Sequence, residues 1–119
     1  MDFYCKVYVE SVEEPSRLAE RLTAQLQGEL SRSTVVAEDV EIDALRNDLD
    51  RNDPPKSFLD YPLYLDVFPS DEAGEDEERF VAAVERLLGA LARLGLEYVA
   101  ACDFEDQLPG SGRSPGARW

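Results

Sequence analysis

At 119 residues, with 44% hydrophobic and 32% charged side chains, the chain has the length and composition of one globular domain (residues 1–108) followed by a short tail (109–119). Its net charge of −14 works against binding to DNA, RNA or an anionic membrane, surfaces that need lysines and arginines to displace counterions. The absence of histidine removes imidazole bases, Ser-His-Asp and Cys-His nucleophile systems and imidazole metal sites.

Residues 3–10 alternate, with Phe3, Cys5, Val7 and Val9 on one side and Tyr4, Lys6, Tyr8 and Glu10 on the other, as a half-buried strand does. This acid-bearing, alternating start is unlike a secretory signal, and no apolar run approaches bilayer length, so the expected compartment is the cytoplasm. After Glu13-Glu14-Pro15, Leu18, Leu22, Leu26 and Leu30 recur every four residues and predict an amphipathic helix over 15–30. A second strand is predicted over 35–45, where Val40, Ile42 and Ala44 alternate with Glu41 and Asp43.

The polar stretch 46–60 then predicts a long loop. Asp48, Asp50 and Asn52 match the first ligand positions of a calcium loop. Asp53 stands where that loop needs glycine and Leu59 where it needs glutamate, so no metal is expected. The third strand is Tyr61 to Phe68, with Leu63, Leu65 and Val67 opposed to Tyr64, Asp66 and Phe68. The acids from Asp71 to Glu78 precede a helix whose stripe is Phe80, Val84, Leu87, Leu88, Leu91 and Leu94, and carboxylates there complement the helix dipole. Gly95 occupies a C-cap position, and Leu96 to Cys102 form a fourth strand. Cys5 and Cys102 lie in apolar stretches and are expected as buried, reduced thiols.

The order β-α-β-β-α-β predicts a ferredoxin-like α+β fold, a four-stranded antiparallel sheet of order 4-1-3-2 with two helices on one face. The uncovered face then carries Tyr4, Lys6, Tyr8, Tyr64, Asp66 and Phe68, more rings than a wet sheet face requires.

Three stretches, Val40-Glu41-Ile42-Asp43-Ala44-Leu45-Arg46-Asn47-Asp48, Tyr61-Pro62-Leu63-Tyr64-Leu65-Asp66-Val67 and Ala100-Ala101-Cys102-Asp103-Phe104-Glu105-Asp106-Gln107-Leu108-Pro109, resemble small acidic bacterial proteins associated with toxin-immunity proteins. The resemblance spans most of residues 3–109 and transfers no binding residue. It implies a non-enzymatic inhibitor of a basic toxin, consistent with a chain in which no catalytic constellation and no cofactor motif is visible. Carboxylates on loops fit such a partner, namely Asp48, Asp50 and Asp53 on the long loop and Asp103, Glu105 and Asp106 after the fourth strand. The competing expectation is a homodimeric structural or small-ligand-sensing module that associates through Tyr4, Tyr8, Tyr64 and Phe68.

Overall fold

The computed structural model describes residues 3–47, 60–71 and 73–114. They form β1 (Cys5–Glu10), α1 (Pro15–Leu26), β2 (Glu29–Ser31), β3 (Thr34–Ala37), β4 (Val40–Arg46), β5 (Leu63–Pro69), α2 (Glu77–Arg93) and β6 (Glu97–Ala101). All strand pairs are antiparallel, and the sheet order is β2-β3-β4-β5-β1-β6. The expected four-stranded ferredoxin-like sheet is therefore corrected to six strands in a different order. The four anticipated strands remain neighbours inside it, as β4-β5-β1-β6, and the β2–β3 hairpin extends the β4 edge.

The correction begins at the end of α1. Pro15 sits in the first turn, where its missing N–H costs nothing. Leu18 and Leu22 are fully buried, but the helix stops at Leu26 because Gln27 turns left-handed at φ 55°, its N–H capping the Thr23 carbonyl. Leu30, the fourth leucine of the stripe, lies in β2, paired with Val35 and 39% exposed. The expected strand 35–45 likewise divides in two around Glu38 and Asp39. Val35 and Ile42 are both buried, and an uninterrupted strand puts an odd and an even position on opposite faces. The turn lets both point inward.

That turn is fastened to α2. Asp39, only 7% exposed, accepts from Arg79 Nη2 at 2.6 Å and from Arg86 Nη2 at 3.3 Å. Ser70 secures it from the other side, its N–H donating to the Asp39 carbonyl and its hydroxyl to the Glu38 carbonyl. α2 starts at Asp76, whose carboxylate accepts from the Arg79 N–H, and ends before Gly95 at φ 74°.

Both helices pack on one sheet face and against each other. Cys5, Val7 and Val9 of β1, Leu63, Leu65 and Val67 of β5 and Ile42 of β4 meet Leu18, Leu22, Leu87, Leu88 and Leu91 in a single core. Phe80 anchors one end of it, stacked on Phe3 at 6.0 Å and edge-on to Phe104 at 5.6 Å.

Phe104 brings the chain back after β6. Two 3-10 turns, Glu105–Gln107 and Pro109–Gly112, lead to Arg113, which bridges Val99. The Ser114 N–H donates to the Tyr98 carbonyl and its hydroxyl accepts from the Tyr98 N–H, both at 3.0 Å. The first residues of the expected tail thus lie along the β6 edge, while 115–119 fall outside the described residues. Val99 points away from the helices, in register with Tyr8, yet is only 3% exposed. Of the two cysteines, Cys5 is fully buried and Cys102 half-buried, and neither forms a disulfide.

Candidate functional site

The uncovered sheet face is the most distinctive surface of the described residues. Strand register arranges it in rows. Glu29 of β2, Val36 of β3, Glu41 of β4 and Phe68 of β5 follow one another across the sheet, with Tyr4 beside Phe68 at a ring separation of 5.3 Å. The next row runs Thr34, Asp43, Asp66, Lys6, Ala101. The third runs Leu45, Tyr64, Tyr8, Val99, and Glu10 and Glu97 close the face. Six carboxylates thus share this face with one ammonium.

Tyr4 (40% exposed), Val36 (38%), Leu45 (37%) and Phe68 (39%) are four of the six large apolar side chains exposed among the described residues, and all four lie here. Tyr8 and Tyr64 are half-buried, and the Lys6 ammonium lies over their rings at 5.1 and 4.3 Å from the centroids. The sheet thereby shows that its own rings accept a cation.

Asp43 and Asp66 stand directly opposite each other on paired strands, a like-charge arrangement that costs stability. Each holds one hydroxyl: Thr34 Oγ1 donates to Asp43 Oδ1 at 2.6 Å, and the Tyr4 phenol donates to Asp66 Oδ1. Burial, and next the bond to Asp66, push the Tyr4 phenol well above the usual tyrosine range. Burial alone raises Tyr98, on the opposite face.

Asp48, Asp50 and Asp53 lie outside the described residues. The base of their loop is held by the Asn47 N–H on the Pro62 carbonyl at 2.8 Å and by Asn47 Nδ2 on the Tyr61 carbonyl at 2.9 Å. That base adjoins Arg46 and Leu63, the latter paired with Val9 of β1. Asp103 and Asp106 are exposed at the other end of the sheet, beyond Ala101, which pairs with Lys6. Glu105 lies in the 3-10 turn between them. Because Phe80 touches Phe104, this end also holds the acids at the start of α2, Asp76, Glu77 and Glu78.

Sequence reasoning named the rings of β1 and β5 but not Glu41, Asp43, Leu45 or Val36, which complete the face. Glu41 and Asp43 carried the signal, since they alternate with the buried Val40, Ile42 and Ala44.

A groove of about 710 Å³ opens on the helix side, between the end of α1, the β3–β4 turn and α2. Asp39 in its wall is already engaged by Arg79 and Arg86, and Glu38 and Glu85 at its rim are exposed. Among the described residues no group of three or more Cys, Asp or Glu side chains is placed to hold a metal ion, and no helix is long and apolar enough to cross a membrane. Compared with known proteins, the chain matches no family model, no curated protein and no solved structure.

Proposed function

We propose that the protein is a non-enzymatic, acidic protein-binding module that acts as an immunity-type inhibitor of a basic toxin. The observation that carries this reading is the placement of the charge. Carboxylates occupy the open sheet face and the end that holds Asp103 and Asp106, while the arginines of α2 are drawn into internal contacts: Arg79 and Arg86 with Asp39, and Arg93 with Gln25 at 2.8 Å. A surface of this kind speeds the capture of a cationic protein and makes it strongly salt-dependent.

The test is a pull-down with the purified chain from native lysate, washed at low and at high salt. Recovery of a basic protein that elutes with salt, and whose toxicity is suppressed when the two are co-expressed, supports the reading. An empty pull-down sinks it. A homodimer through the sheet face is the second reading, favoured by the exposure of Tyr4, Val36, Leu45 and Phe68 on one surface. It predicts a dimer on sizing with those side chains protected.

A further inference from the structure

We infer that the open sheet face is the docking surface, and that its occupant is a protein surface presenting arginines. This rests on the proposed binding of a basic partner and assigns it a place and a chemistry. The face is apolar enough to be worth covering, with Tyr4, Val36, Leu45 and Phe68 between about a third and two-fifths exposed. Its charge favours such a partner over the second copy that the exposed rings alone would allow. Among the described residues Glu10, Glu29, Glu41, Asp43, Asp66 and Glu97 outnumber the cations here, Lys6 and the Arg113 bridged to Val99, while Arg46 of β4 is in inward register and paired with Glu14, so two such faces brought together set carboxylate against carboxylate. The same imbalance complements a cationic surface.

Arginine is favoured over lysine by what the rows place side by side. The exposed Tyr4–Phe68 ring pair has Glu41 opposite Phe68, and Asp43 and Asp66 lie in the adjoining row. A guanidinium stacks on a ring with its face and bonds carboxylates with its edge at the same time, whereas an ammonium is a more strongly hydrated point charge. Lys6 over Tyr8 and Tyr64 shows the cation-on-ring half of that arrangement one row away. An incoming guanidinium would also relieve the opposition of Asp43 and Asp66.

The test is an NMR titration of the full chain at low salt with an oligo-arginine peptide, then with an oligo-lysine peptide of equal length. The expected result is amide shifts concentrated on the outward-facing residues of β1, β4 and β5, and binding of oligo-arginine at least severalfold tighter than of oligo-lysine. Asp43→Asn and Phe68→Ser, each confirmed as folded by its spectrum, are expected to weaken the arginine peptide about tenfold, while Asp106→Asn leaves it unchanged. Equal affinity for both peptides on this face overturns the arginine preference. Shifts confined to residues 103–106 and the start of α2, with Asp106→Asn the weakening variant, overturn the surface but leave the basic-partner reading standing. No binding of either peptide overturns both. Concentration-dependent broadening of the face without peptide identifies a second copy as the occupant and refutes the inference.

Discussion

Two glycines that look alike in the sequence are expected to respond oppositely to the same substitution. Gly28 lies between α1 and β2 with a φ that any residue adopts, so backbone strain is not at issue there. A Cβ on it would sit 2.7 Å from the Val36 carbonyl oxygen and 3.3 Å from Val35 Cγ1. Val36 pairs with Glu29, so that carbonyl belongs to the hairpin backbone and cannot swing aside as a side chain would. Forcing the contact open costs about 1–3 kcal/mol, as overpacking does in a close-packed interior. Gly89 lies inside α2, where a Cβ would meet only Arg93 Nη1, at 3.5 Å, an ordinary contact. Alanine there gains roughly 1 kcal/mol in helix propensity. With a urea m-value of about 1.5 kcal/mol/M, Gly28→Ala lowers the unfolding midpoint by about 0.7–2 M and Gly89→Ala raises it by about 0.7 M. Hydrogen exchange at the β2–β3 amides should quicken in the first variant alone. A neutral or stabilising Gly28→Ala would refute the close approach of α1's exit to β3.

Other consequences are directly measurable. In the native protein a thiol reagent modifies Cys102 and spares Cys5 until denaturant is added, as peptide mapping of the labelled chain will show; labelling of Cys5 without unfolding would contradict its place in the core. In an alkaline ultraviolet titration Tyr4 ionises above the usual tyrosine value of about 10, and Asp66→Asn returns it only part of the way because burial is the larger cause. Since the folded state holds that proton more tightly, Tyr4's contribution to stability is fully present below pH about 10 and is lost as pH rises through the folded-state value. Ser114→Ala strips the Tyr98 N–H of its acceptor at a buried edge, an expected cost of about 1–2 kcal/mol, with faster amide exchange at Tyr98; unchanged exchange would mean that the segment after β6 does not hold there.

The parts of this fold that are legible in the sequence are those whose periodicity runs uninterrupted. β1 and β5 alternate without fault, and α2 carries an apolar stripe between Asp76 and Gly95, so Cys5, Val7 and Val9, Leu63, Leu65 and Val67, and Phe80, Val84, Leu87, Leu88 and Leu91 are buried as expected, while Phe3 and Leu94 at the ends are only half-buried. The β2–β3 hairpin was hidden for two reasons. Leu30 prolongs the leucine spacing of α1 past its real end, and the residue that stops the helix, Gln27, is not one that advertises a left-handed conformation. The break between β3 and β4 was written in the parity of Val35 against Val40 and Ile42, but a parity change marks a turn only once both valines are known to be buried. β6 was harder still. Tyr98, Val99 and Ala100 are buried in succession on a strand whose free edge is paired by residues 113 and 114, a long-range event with no local signal. The site divides the same way. The outward rings of β1 and β5 are visible from alternation, while the meeting of Asp43 with Asp66 depends on a register set across the β4–β5 connection.

The surfaces of the sheet are unequally protected, and the inequality bears on function. The helices cover the middle of one face, leaving Leu30 and Arg46 exposed at its margins. The β6 edge is occupied by Arg113 and Ser114, so its backbone groups at Tyr98 are satisfied from within the chain. The β2 edge is open but only three residues long and carries Glu29, two devices that discourage strand addition. What remains is the outer face, where apolar rings stay half in water and two aspartates oppose each other at some cost. A fold under selection for stability alone would relieve that opposition with one Asp→Asn or Asp→Thr change, since neither carboxylate supports the core. Both aspartates beside exposed rings, on a chain that pairs its β6 edge and shortens its β2 edge, are the pattern expected if the proposed cationic partner docks here and brings the missing positive charge.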